Sequence, residues 1–115
     1  VAARYQRIER SHLGRILIGL GSSHPGMTQG QEYRPYQKMV SYLDELDALS
    51  PTVPTDRRVL AALGPKMLRL AGERSAGVHP YLVTPAHTKK ARDILGPEPL
   101  LAPEQKVVYQ DTCAH

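Results

Sequence analysis

Neither tryptophan nor phenylalanine occurs in the chain, and cysteine occurs once, as Cys113. Without large apolar rings the core has to be aliphatic, supplemented by some of the six tyrosines. One cysteine excludes an intrachain disulfide framework and fits a reducing, cytoplasmic setting. No apolar run approaches the ~20 residues of a membrane span, and no signal peptide is visible, so no membrane partner is expected. A dense basic stripe is lacking too. The net charge is +4, yet only Arg57-Arg58 and Lys89-Lys90 are adjacent, and no nucleic-acid partner is expected. His12, His24, His79, His87 and His115 show no close ligand spacing, so no metal site is expected. What remains is 115 residues, 41% hydrophobic and 23% charged, enough for one small domain with a modest core.

The organising stretch is Arg15-Ile16-Leu17-Ile18-Gly19-Leu20-Gly21-Ser22-Ser23-His24. Residues 16–20 are a β-branched apolar run closed by glycine, which predicts a strand buried on both faces. Gly21, Ser22, Ser23 and His24 then fall at its carboxyl end, where parallel α/β folds place ligands. Residues 1–12 read as a surface helix. They are basic enough to imitate a transit peptide, but they contain Glu9 and run straight into the strand. Residues 22–34 read as a long loop of the kind that forms lids. Residues 35–49 are the clearest helix, with Pro35 at its first position. Tyr36, Met39, Val40, Leu43 and Leu46 share one apolar face, and Asp44, Glu45 and Asp47 lie mainly opposite.

A second strand is predicted over 58–63. Gly64-Pro65 turns it into a helix over 66–73, which places unpaired amides at the strand's carboxyl end, with Lys66 beside them. A third strand is predicted over 77–83, interrupted near Pro80. Thr84-Pro85 caps a helix reaching Leu95, where Gly96-Pro97 ends it. Lys106-Val107-Val108-Tyr109 reads as a fourth strand, and residues 110–115 as a disordered tail. Strands alternating with helices argue for parallel β/α units joined by right-handed crossovers.

Several motifs fall short of a specific chemistry. Gly19-Leu20-Gly21 opens a dinucleotide fingerprint, but His24 stands where the third glycine belongs. Gly21 to Thr28 approaches a phosphate loop without its lysine. His87 reads as a first-turn surface residue. His24 and His79, near strand ends, are suited either to moving a proton or to a structural hydrogen bond. Gly64-Pro65-Lys66 suits either a phosphate or a plain strand–helix junction.

Arg15 to His24 and the run Arg58-Val59-Leu60-Ala61-Ala62-Leu63-Gly64-Pro65-Lys66-Met67-Leu68-Arg69-Leu70-Ala71-Gly72-Glu73 resemble luciferase-like flavin and deazaflavin oxidoreductases. His79-Pro80-Tyr81-Leu82-Val83-Thr84-Pro85-Ala86-His87-Thr88, Leu95-Gly96-Pro97 and Leu100-Leu101-Ala102-Pro103-Glu104-Gln105 resemble an actinobacterial subgroup that uses coenzyme F420. The resemblance implies an α/β fold, with residues 1–115 forming about half of a TIM (β/α)8 barrel, strands four to seven. It also implies hydride transfer between F420 and a small organic substrate, with FMN-dependent monooxygenation as the alternative. Gly64, Pro65, Lys66 and Met67 would hold the cofactor phosphate. Gly21, Ser22, Ser23 and His24 would lie near the ring or substrate, with His24 moving a proton. His79 and Tyr81 would flank the same mouth. The family's acidic residue before the glycine matching Gly77 is replaced here by Ala76. An open half-barrel would expose strand edges and associate with another copy, and a catalytically inactive half-barrel acting only in that way is a further alternative.

Overall fold

A computed structural model of the chain describes residues 1–22 and 34–110. The element order is α1 (Ala2–Ser11), β1 (Ile18–Leu20), α2 (Pro35–Asp47), β2 (Arg58–Leu60), α3 (Pro65–Arg74), β3 (Gly77–Val78), α4 (Pro85–Leu95) and β4 (Leu100–Leu101). The four strands form one sheet in chain order, and every pairing is parallel. The fold is therefore α/β, built of parallel β/α units. Among the described residues no helix is long and apolar enough to cross a membrane.

The helices form for the reasons their termini suggest. Pro35, Pro65 and Pro85 each occupy the first turn, where a missing N–H costs nothing and φ is already helical. Gly96, at φ +82, ends α4. The strand register sets Leu20 beside Leu60 and Leu60 beside Val78. These side chains, with Ala62, join Met39 and Leu43 of α2, Leu68 and Ala71 of α3 and Ala91 of α4 in one core cluster. Leu43, Leu60, Ala71, Val78 and Ala91 are wholly buried, so the core is aliphatic, with Tyr5 of α1 its one buried ring among the described residues.

The row on the opposite side of the sheet is thinner: Gly19, Val59, Gly77 and Leu100. Gly19 and Leu100 are exposed, as is Leu17, and Val59 is buried outside the core cluster. The prediction that the first strand is covered on both faces is therefore corrected; burial at every position belongs to β2 and β3. Gly77 is required by close approach: a Cβ there would lie 1.9 Å from the Leu100 carbonyl oxygen.

The fourth strand is also corrected. It is Leu100–Leu101, while residues 106–109 have no regular structure and Val107, Val108 and Tyr109 are exposed. Val-Val-Tyr has strand propensity, but propensity counts only where a neighbour supplies the ladder. That neighbour reaches the earlier segment instead: Leu100 N–H donates to the Ala76 carbonyl (2.8 Å), Ala102 to Val78 (3.1 Å) and Glu104 to Pro80 (2.7 Å). β3 ends at Val78, sooner than predicted, because Pro80 has no N–H to donate.

At the amino end of the sheet the Arg58 guanidinium is 1% exposed. Its Nε and Nη2 donate to the Val53 carbonyl (2.9 and 2.7 Å), and Nη2 also pairs with Asp47 (2.5 Å). Arg74, in the last turn of α3, spans Asp44 (2.8 Å) and Asp47 (2.7 Å). Hydrogen bonds from Arg74 and then Arg58 hold the Asp47 carboxyl below the usual carboxylate range. Carboxylates at the end of α2 oppose its dipole; the two arginines offset that. Asp44 and Asp47, assigned from sequence to the face away from the core, thus turn toward α3 and β2.

Candidate functional site

At the carboxyl end of the sheet the chain leaves β1 through Gly21-Ser22 and leaves β2 through Leu63-Gly64. These residues line one cavity of about 360 Å3 together with Ala61, Lys66, Met67, Pro35, Tyr36 and Tyr81. The cavity forms because adjacent parallel strands deliver both exits to the same end. Neither glycine is needed for space. A Cβ at Gly64 would meet nothing within 4 Å, and one at Gly21 would meet only the Ala61 Cβ at 3.6 Å. Bare positions here leave main chain open to an occupant.

Gly64 is the residue before α3, extended at φ −83 and ψ 160, and supplies no side-chain cap. The first bond of the helix joins Leu68 N–H to the Gly64 carbonyl (3.0 Å). The amides of Lys66 and Met67 precede that bond and have no helical acceptor. The start of α4 is built differently: the Thr84 hydroxyl accepts from the His87 N–H at 3.2 Å. Lys66 Nζ sits 4.6 Å above the centroid of the Tyr36 ring. Among the described residues no carboxylate pairs with Lys66.

Of the residues singled out from sequence, Gly21, Ser22, Gly64, Lys66, Met67 and Tyr81 are brought together on this cavity. Ser23 and His24 lie outside the described residues. Pro65 and His79 do not line the cavity. Pro65 turns the chain into α3, and the exposed His79 uses Nδ1–H to donate to the Ala102 carbonyl at 2.6 Å, tying the end of β3 to the segment after β4. His87 is half-buried rather than a free surface residue. Its Nε2–H donates to the Leu63 carbonyl at 2.8 Å, so α4 braces the loop that carries Gly64.

Sequence reasoning missed Pro35, Tyr36, Ala61 and Leu63 as cavity residues. Helical spacing puts Tyr36 on the core face of α2, and it does pack against the core from a half-buried position. The available signal was its place directly after a first-turn proline, since the starts of α2 and α3 must both lie at the carboxyl end of the sheet. Among the described residues no group of three His, Cys, Asp or Glu side chains gathers closely enough to hold a metal ion.

Among the described residues, the cavity has apolar walls from Leu63, Met67 and Ala61, two tyrosines, one cation and two uncapped amides. That combination can hold a flat organic group at one side and an anion at the other. Compared with protein-family models, curated proteins and solved structures, the chain matches none.

Proposed function

We propose that the chain is part of a luciferase-like oxidoreductase that uses coenzyme F420, with β1 to β4 as the fourth to seventh strands of a (β/α)8 barrel. The observation that carries this reading is the meeting of Gly21 and Gly64 on a single cavity at the carboxyl end of a parallel sheet. Bound there, the deazaflavin would supply a carbon centre that exchanges a hydride with a small organic substrate. The protein's part is to bind and to orient. The Lys66 and Met67 amides donate to phosphate oxygens, helped by the positive end of the α3 dipole. Bare Gly21 and Gly64 let the ligand approach the main chain, and Leu63 and Met67 exclude water from its apolar side. Ser23 and His24 belong to this reading through family resemblance, with His24 as the proton carrier, while Pro65 and His79 contribute only by shaping the ends of the elements beside the cavity.

The test is a fluorescence titration of the chain with F420 and, separately, with FMN. Saturable F420 binding that outcompetes FMN supports the proposal. Four strands supply only part of the pocket, so weak binding by the isolated chain is expected; preference for FMN moves the reading to the flavin-dependent monooxygenases of the same family, and the absence of any F420 preference, even a weak one, counts against the F420 assignment.

The exposed Leu17, Gly19 and Leu100 on the thin row of the sheet favour a second reading, an inactive chain that self-associates through that face or through a free strand edge. Size-exclusion chromatography coupled to light scattering separates the two: a monomer that binds F420 contradicts the second reading.

A further inference from the structure

We propose that Tyr36 is the positioning residue for the cavity's charge-reading group. Its ring holds the Lys66 ammonium at the wall, so that the cavity selects an organic ring carrying a phosphate-type anion. This rests on the cofactor reading above and extends it to the side chains that decide ligand class.

A lysine ammonium is a compact charge on a flexible four-carbon stem, and fixing it in one place costs rotamer freedom. Two kinds of neighbour can offset that cost. A carboxylate would hold the ammonium but cancel its charge. An aromatic face holds it through the ring quadrupole and leaves the net charge in place. Lys66 has the second kind, 4.6 Å from the Tyr36 centroid. The contrast with the other end of the sheet is internal to the molecule: Arg58 and Arg74 both pair with Asp47 and are spent on structure.

Placement supports the assignment. Tyr36 and Lys66 are each the second residue of their helices, α2 and α3, whose starts face the same cavity. The ring therefore joins two helix entrances, and the ammonium it holds lies near the uncapped Lys66 and Met67 amides. Leu63 and Met67 line the wall beside it and carry no charge. A ligand that satisfies both halves is a flat apolar body with an anionic tail. A neutral ring satisfies one half, and a small inorganic anion the other.

The experiment uses FMN, riboflavin and inorganic phosphate as probes on the whole chain. It follows the Lys66 ε-methylene signal by NMR, assigned through its loss in Lys66→Met. The signal is expected upfield of a free lysine because of the ring above which it sits. Tyr36→Phe should keep that shift and Tyr36→Leu should remove it. FMN and inorganic phosphate should move the signal saturably, and riboflavin should not. Tyr36→Leu should weaken FMN binding about threefold. Lys66→Met should weaken it about tenfold and flatten its salt dependence. An unshifted Lys66 signal, no response to FMN or phosphate, or FMN binding by Tyr36→Leu equal to that of the parent chain overturns the proposal. F420 binding that ignores Lys66→Met overturns it while leaving the cofactor reading intact. A Lys66 response to FMN and phosphate with no F420 binding does the reverse.

Discussion

The two ends of the sheet use charge in opposite ways. At the amino end, Arg58 and Arg74 converge on Asp47, and Arg58 also takes the Val53 carbonyl. At the carboxyl end, glycine stands where a cap would sit, two amides lack helical acceptors, and Lys66 rests on a ring. The first arrangement pairs its charges and holds α2, α3 and β2 together, although Arg58 Nη1 is buried without a partner among the described residues. The second leaves helix-start donors and a cation at a cavity. Parallel strands make this division possible, because every strand enters at one end and every exit gathers at the other.

The comparison can be broken in the sheet itself. Gly77→Ala should abolish cooperative folding, because its Cβ would collide with the Leu100 carbonyl and part β3 from β4. Retained cooperative urea unfolding in that variant would show that the β3–β4 pairing is not needed to hold the two ends in place.

The amino end should answer to stability alone. Asp47→Asn should lower unfolding free energy by about 2 kcal/mol, toward the low side for a broken buried pair because Asp47 itself is 45% exposed. Because the folded Asp47 carboxyl is depressed, its stabilisation is complete above the unfolded value of about 3.9 and fades as pH falls through the lower folded value. The variant should therefore show a shallower loss of stability below about pH 4, read by urea titrations at several pH values, with F420 affinity unchanged at pH 7.

A smaller effect sharpens the contrast at α4. His87→Gln should keep a donor near the Leu63 carbonyl and leave both stability and binding close to the parent. His87→Ala should loosen the Gly64 loop and cost about 1 kcal/mol by losing that hydrogen bond. Equal thermal midpoints for the two variants would mean that the brace does not matter.

Much of this architecture is legible in the residues. Proline after a turn residue marked the starts of α2, α3 and α4, and the apolar spacing of Met39, Leu43 and Leu46 marked the buried face of α2. Glycines closing apolar runs marked the strand exits, and hence Gly21, Ser22, Gly64 and Lys66 at the cavity; Met67 and Tyr81 came only through the family resemblance. What was not legible depends on neighbours distant in sequence. Arg58 falls in a strand read as buried, but nothing in the sequence names the partners of its guanidinium, the Val53 carbonyl and Asp47 of α2. Val107 and Val108 carried strand propensity with no ladder to join, while Leu100, following a proline, had one. Tyr36 reads as core by helical period, and only the meeting of α2 with α3 sets its ring beneath Lys66. His79 follows the last residue of β3, and its ring turns to the Ala102 carbonyl instead of the cavity.

The central claim is that the start of α3 is left uncapped for a ligand, and Gly64→Asp tests it most directly. An aspartate there can cap the helix and favour its dipole, so the variant should be more stable by up to about 1 kcal/mol. The same carboxylate occupies the Lys66 and Met67 amides and repels an anion, so F420 affinity should fall at least about tenfold. Higher stability with weaker binding is the predicted result. Undiminished binding in a stabilised Gly64→Asp chain would contradict the account.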